Sequence, residues 1–251
     1  AVYVATPHAF HAEHARLALE AGKPVLVEKA FTRNAVEARA VLDLARDGED
    51  VFLVMEFVDG PSGPLEVVRS GRGEPVTVFA HGMGASVPST RPYASGVSGT
   101  RVFFHFRSHG RSAPAFDGWD YDHTADELLA VADAYGATRA LGVSMGAGSI
   151  LRILQRDPSR FERVVLVIPA VIDSPRNSEG LERYSAMAEA SARGDAGPIR
   201  AQLEAELPEA VRGDDAARAW VEQQTQVFLG PGMAEALRDL PHAVPVPDVE
   251  R

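Results

Sequence analysis

The sequence of 251 residues contains no cysteine, which excludes disulfides, thiolate metal sites and a cysteine nucleophile. This composition suits a cytoplasmic protein. The sequence also lacks an apolar run of about 18 residues, the length that spans a bilayer, and it shows no signal-peptide pattern. Basic residues are outnumbered, with 25 Lys and Arg against 35 Asp and Glu and a formal net charge of −10. We therefore expect neither nucleic acid nor a membrane as a partner.

The N-terminal part of the sequence predicts alternating strands and helices. Gly22 and Pro24 predict the end of a first helix, because glycine adopts the left-handed conformation and proline cannot continue the helix. Asn34 followed by Glu37 predicts the start of a second helix. Three apolar segments have the composition of strands, the first two of them buried: 2–6, 25–28 and 51–57. The resulting βαβαβ order is that of a partial Rossmann-type sheet over residues 1–57.

At about residue 58 the Gly- and Pro-rich stretch "VDGPSGP" predicts a junction. Beyond it, the sequence alternates strand and helix patterns and then, from 175 to 240, shows helical patterns alone. The segment "RVVLVIPA" (163–170) is uninterruptedly apolar, as is typical of a strand buried on both faces. These patterns predict a second α/β domain over residues 58–251.

The motif Gly-x-Ser-x-Gly is present as Gly142-Val143-Ser144-Met145-Gly146, between a predicted strand and a predicted amphipathic helix. A nucleophilic serine on such a turn is exposed above the sheet at a helix N-terminus, and the tight turn leaves room only for glycines two residues away. This context favours a nucleophile elbow over a chance Gly-rich turn. Ser144 is therefore the candidate nucleophile.

Several segments follow one another in the order and spacing of the α/β-hydrolase superfamily, which residues 58–251 resemble: "GPLEVV…GEPVTVFAHG", "HGRS" (109–112), "GVSMGAGS" and "DPSRFERVVLVIPA". The resemblance implies a core over 62–173 and a helical lid over 174–241, in a sheet that is incomplete at its C-terminal side. It also implies an oxyanion hole made by the backbone N–H groups of Met83 and Met145. His81 is then a residue that shapes this loop rather than the catalytic base.

The family places an acid and then a histidine after the nucleophile. Asp173 and His242 keep that order, but we favour the interpretation that His242 precedes a missing strand and is not the base. A serine without a base is a poor nucleophile, so the sequence allows an inactive chain. The open edge of an unfinished sheet would also favour self-association.

Residues 1–57 resemble the glucose–fructose oxidoreductase / inositol dehydrogenase family, nearest to its dihydrodiol-dehydrogenase-like members, through "VATPHAFHAEHARLALEAGKPVLVEKAF" and "VFLVMEF". The resemblance implies that Glu28 and Lys29 are vestiges of a nicotinamide site. The sequence has no G-x-G-x-x-G for the pyrophosphate, so we expect no bound cofactor. The spacing of His8, His11 and His14 suits a helix face better than a metal site.

The sequence thus predicts an α/β fusion of two partial domains. The predicted function is that of a cytoplasmic serine esterase that acts on a small-molecule acyl substrate. Two alternatives remain open at this point: a fragment of an NAD(P)-dependent oxidoreductase, and a catalytically inactive fusion.

Overall fold

The computed structural model describes residues 2–23, 25–27, 32–34, 36–37, 41, 54–174 and 176–240. The chain divides into two compact units, residues 1–54 and residues 55–251. The sequence placed the junction slightly later, between residues 57 and 58. The two units are described separately below.

In the first unit, β1 (Val2–Val4) pairs in parallel with β2 (Val25–Val27), and α1 (His11–Glu20) connects them. The helix ends as the sequence predicts, because Gly22 has φ +66° and the Lys23 amide donates to the Ala18 carbonyl at 2.9 Å. However, β1 is not the buried strand that its composition suggests. Tyr3 is 59% exposed and Val2 is also exposed. Of the three residues of this strand, Val4 is the one that is buried.

The predicted start of the second helix has the expected cap. The Glu37 amide donates to Asn34 Oδ1 at 3.0 Å, and the Glu37 carboxylate accepts from the Arg33 amide at 3.1 Å. The third predicted strand of this unit lies elsewhere, because residues 54–60 belong to the sheet of the second unit.

The second unit is built on a six-stranded sheet of order β3-β4-β6-β5-β7-β8. β4 and β6 are antiparallel, whereas β6, β5, β7 and β8 run parallel to one another. The strands are β3 (Val54–Gly60), β4 (Gly63–Ser70), β5 (Val76–Ala80), β6 (Thr100–Phe104), β7 (Arg139–Val143) and β8 (Arg163–Val167). Since β3 and β4 are joined by two residues, 61 and 62, they form a hairpin at one edge.

Helices cover the sheet and extend beyond it. They are α2 (Val87–Thr90), α3 (Tyr121–Ala134), α4 (Met145–Arg156), α5 (Ser178–Arg193), α6 (Ala196–Glu206), α7 (Asp215–Phe228) and α8 (Met233–Asp239). Alternation along β5 divides the apolar residues between two clusters: Val76, Val78 and Ala80 join the larger core, whereas Phe79 joins a smaller one on the opposite face. Among the described residues, no helix is long and apolar enough to cross a membrane.

The last strand of the sheet contradicts its prediction. β8 was expected to be buried on both faces, but Val164 and Val165 are exposed, the latter at 51%, and Ile168 just after it is 75% exposed. The reason is the position of β8, which is an edge strand in the described sheet. Its apolar composition alone could not distinguish a central strand from an edge strand.

Candidate active site

Ser144 lies on the turn between β7 and α4 with φ 50° and ψ −109°. This conformation is strained for a residue with a side chain, and such strain is common at catalytic positions. Hydrogen bonds on both sides hold the turn. The Ser144 amide donates to the Val167 carbonyl at 3.0 Å, and the Ser144 carbonyl accepts from the amides of Gly148 at 2.9 Å and Ala170 at 3.1 Å.

The two glycines of the motif are required by close backbone contacts. A Cβ atom at Gly142 would lie 2.5 Å from the amide nitrogen of Ala147. A Cβ atom at Gly146 would collide with the carbonyl oxygen and the Cβ atom of Ala80 on β5. Neither collision involves the end of a flexible side chain, so only glycine fits at these positions. The structure therefore forms the tight strand–turn–helix that the sequence predicts.

The loop after β5 lies against this turn. A Cβ atom at Gly82 would be 3.3 Å from Ser144 Cβ and 4.0 Å from Ser144 Oγ, and the Gly146 amide donates to the His81 carbonyl at 3.1 Å. Within the described part of the chain, the amides of Met83 and Met145 donate to no protein acceptor. The Met145 amide lies at the N-terminus of α4, where the helix dipole favours negative charge.

Three buried histidines hold the loop of residues 81–87 in place. The Gly84 amide donates to His109 Nε2 at 2.8 Å, and the Val87 amide donates to His105 Nε2 at 3.1 Å. His81 Nε2 accepts from the backbone amide of Phe106 at 3.0 Å, and His81 Nδ1 lies 2.7 Å from the Gly82 carbonyl oxygen. Since both ring nitrogens of His81 are engaged, this side chain is not available to Ser144 as a base.

The electrostatics of the cluster keep His81 and His109 neutral. Burial, together with the neighbouring His109 and His105, lowers the pKa of His81 well below its ordinary value. Burial likewise lowers the pKa of His109 to about 4. Glu66 is also buried, which raises its pKa, but hydrogen bonds from His105 and Arg111 prevail and lower the pKa of Glu66 to about 2. His105 Nδ1 lies 2.9 Å from Glu66 Oε2, so this pair anchors the cluster to β4.

We predict that His109 makes the second unit less stable as the pH falls from about 6.5 to about 4. In this window, the unfolded chain binds a proton at His109 that the folded chain excludes, so acid favours unfolding. Between pH 7 and pH 5, the free energy of unfolding should drop by about 2 kcal/mol from this residue. Denaturant unfolding of the wild type and of His109→Asn at both pH values measures this difference, which should shrink in the variant. An equally large difference in His109→Asn and in the wild type would contradict the prediction.

Two contacts join the helical segment to the site. Phe228, at the end of α7, packs so closely on Gly84 that a Cβ atom there would overlap its ring. At Gly232, a Cβ atom would lie 2.6 Å from Ser108 Oγ. The helices after residue 177 thus contact the loop that carries Met83.

No hydrogen bond among the described residues joins Asp173, the predicted acid, to Ser144. Asp173 is exposed, and its carboxylate accepts from Ser174 Oγ at 3.4 Å. His242, Glu28 and Lys29 lie outside the described residues. The part of the chain that the structure describes contains no group of three or more His, Asp or Glu residues that could hold a metal ion.

Sequence reasoning missed the roles of Glu66, His105 and His109. Glu66 lies on a strand and is separated by 39 residues from its partner His105, so no local pattern relates the two. The stretch "HFRSH" (105–109) carried a signal, because histidines directly after an apolar strand are unusual among buried residues.

The first unit resembles a family of oxidoreductases. Residues 1–56 match the profile of the GFO_IDH_MocA family, described as an oxidoreductase family with an NAD-binding Rossmann fold. D-xylose 1-dehydrogenase (NADP(+)) from Hypocrea jecorina is 48% identical over 81 residues, which cover 31% of this chain and 20% of that protein. These matches support the resemblance expected for the N-terminal segment.

The remainder resembles hydrolases. A non-heme chloroperoxidase from Burkholderia pyrrocinia is 38% identical over 92 residues, 33% of each chain. A thermophilic esterase from Thermogutta terrifontis has a similar fold, with a TM-score of 0.62 at 18% identity over 76% of this chain and 74% of that chain. The chain spans between about a fifth and about two fifths of the length of the curated relatives that it matches. Residues 1–56 thus resemble the NAD-binding oxidoreductases, and the second unit has the α/β-hydrolase fold.

Proposed function

We propose that the second unit is a serine hydrolase that acts on an ester-like acyl substrate through Ser144. The observation that carries this proposal is the strained conformation of Ser144 at the N-terminus of α4, between two glycines that nothing larger can replace. The esterases among the solved structures of similar fold support a hydrolytic activity.

In the proposed reaction, Ser144 Oγ bonds to the acyl carbon, and the electron pair of the carbonyl bond moves to its oxygen. The Met83 and Met145 amides donate to this negative oxygen, and the dipole of α4 adds to its stabilisation. Collapse of the intermediate re-forms the carbonyl and expels the alcohol, which takes its proton from the protonated base, and water then hydrolyses the acyl-enzyme. A base must accept the Oγ proton, and Asp173 and His242 are the proposed acid and base to test for this step.

A catalytically inactive chain is the second candidate. It is favoured by the bonds of His81, His105 and His109, whose ring nitrogens are all used by backbone groups or by Glu66. None of these three rings is free to activate Ser144. Without a base, the remaining oxyanion stabilisation would supply only a small part of normal catalysis.

A fluorophosphonate probe distinguishes the two candidates. We expect a covalent adduct on Ser144, identified by mass spectrometry, which is lost in Ser144→Ala and retained in Ser159→Ala. Ser159 is a suitable control because it is exposed on a surface turn. No adduct on the folded wild type would overturn the active enzyme and favour the inactive chain.

The proposed base is tested by the rate of the same labelling reaction. His242→Ala should slow adduct formation by about 100-fold or more if His242 takes the Oγ proton. Asp173→Asn should slow it less, since an acid acts through the histidine. Equal rates in the wild type and in His242→Ala would exclude this residue as the base.

An oxidoreductase activity is a further candidate only because residues 1–56 match an NAD-binding family. A cofactor that binds the folded state alone would raise the apparent stability of the first unit. We expect no such rise with NADH or NADPH. A saturable rise that is lost in Lys29→Ala would instead establish a dinucleotide site.

A further inference from the structure

We propose that a row of arginines at the amino-terminal edge of the sheet binds a small ligand that carries a phosphate or carboxylate group. The row is defined by strand register: Arg101 pairs with Thr77, Thr77 with Arg139, and Arg139 with Arg163. Directly paired residues point to the same face of a sheet, so all four side chains share one face. We call these residues the arginine row.

The arginine row contains buried polar atoms without partners. Thr77 Oγ1, Arg101 Nε and Arg139 Nε are each buried and lack a hydrogen-bond partner among the described residues. No other buried side-chain nitrogen or oxygen in that part of the chain is in this state. A buried polar group without a partner costs about 1 to 3 kcal/mol, so the concentration of three such groups in one row requires a physical reason.

The positive charges of the arginine row indicate that an anion belongs there. Like charges that lie directly opposite on neighbouring strands destabilise a sheet, and Arg139 and Arg163 are such a pair. No described carboxylate forms an ion pair with Arg101, Arg139 or Arg163, although the chain has a formal net charge of −10. An anionic group between the guanidinium groups would relieve this repulsion and accept their N–H bonds.

The geometry suits a small anion. Strand register places the Cα atoms of Arg139 and Arg163 about 4.8 Å apart, so a single anion can contact both guanidinium groups. Thr77 lies between Arg101 and Arg139 and offers a hydroxyl donor. Planar guanidinium groups bind phosphate and carboxylate oxygens in pairs, which a single ammonium group cannot do.

The arginine row is separate from the candidate active site. Arg139 begins β7 and Ser144 follows its end, so the two are about 16 Å apart along the strand. The arginines lie at the opposite edge of the sheet from the loop that contains Met83. Binding at this row therefore does not depend on the proposed hydrolase function.

Isothermal titration calorimetry with inorganic phosphate tests the proposal, with sodium chloride at equal ionic strength as the reference. We expect saturable binding with a dissociation constant on the order of 1 mM. Arg163→Gln, at an exposed position, and Arg139→Gln should each weaken binding about tenfold, and their combination should abolish it. Titration with succinate in place of phosphate shows whether the row prefers a phosphate or a carboxylate ligand.

Arg193→Gln is the matched control. It removes the same charge from the exposed end of α5, where Arg193 is paired only with Glu189 at 3.6 Å, and it should bind phosphate like the wild type. Two results would overturn the proposal: no saturable heat with either anion, or equal binding by the wild type and the double variant. Binding of polyglutamate without binding of either small anion would show instead that the row docks an acidic polypeptide.

Discussion

Replacing Glu127 by alanine should lower the free energy of unfolding of the second unit by about 3 to 5 kcal/mol. The side chains of Glu127 and Arg107 form an ion pair and are each only 2% exposed. Removing the carboxylate would leave the Arg107 guanidinium charged and buried, a state that burial makes very unfavourable. It would also remove the acceptor for the Trp119 indole N–H, which lies 3.2 Å from Glu127 Oε1.

Denaturant unfolding followed by tryptophan fluorescence measures this loss. Both tryptophans of the chain, Trp119 and Trp220, belong to the second unit, so the signal reports on that unit alone. Glu222→Ala is the matched control, because its ion pair with Arg200 has the same type of partner but is exposed. That variant should lose far less stability than Glu127→Ala, because solvent screens an exposed pair.

The stability of a double variant distinguishes the loss of the whole ion pair from the loss of its carboxylate alone. The double variant Arg107→Met, Glu127→Leu should be more stable than Glu127→Ala, since neither charge is then left buried alone. If Glu127→Ala costs no more than Glu222→Ala, the buried pair does not stabilise this fold.

Gly146→Ala should displace the turn that carries Ser144 and reduce the proposed fluorophosphonate labelling of Ser144 at least about 100-fold. The added methyl group would collide with the Ala80 backbone on β5, so the turn and the strand must move apart. A displacement of about 1 Å at a nucleophile can cost two orders of magnitude in rate. The same strain should lower the free energy of unfolding by about 1 to 3 kcal/mol.

Gly213→Ala provides the comparison for Gly146→Ala. A Cβ atom at Gly213 would meet no other atom within 4 Å, and its backbone does not have a positive φ. This variant should label like the wild type and change stability by less than about 0.5 kcal/mol. Normal labelling by Gly146→Ala would show that the turn is more adaptable than its contacts suggest.

The region near residue 55 shows why the position of a strand was easier to predict than the neighbouring strand with which it pairs. The oxidoreductase profile extends to residue 56, whereas β3 covers Val54–Gly60 in the sheet of the second unit. An apolar segment of this kind can pair in either sheet, because its composition reports burial and not the identity of its neighbour. The tight turn at residues 61 and 62 places β4 beside β3, and β3 therefore joins the sheet of the second unit.

The sequence by itself determined the local features of this protein. The end of α1 at Gly22 and the turn at Ser144 follow from backbone sterics within a few residues, so the motif was sufficient to locate both. The α/β character followed in the same way from the alternation of apolar segments with helical patterns.

Only the tertiary structure decided which distant residues meet. The exposure of β8, the bond between Glu66 and His105 and the arginine row across β5, β6, β7 and β8 all depend on strand order and register. These features join residues that lie tens of positions apart, and composition does not encode such pairings locally. The sequence was therefore sufficient to locate the candidate nucleophile. The buried groups that hold the neighbouring loop, and the arginine row, could be identified only from the folded chain.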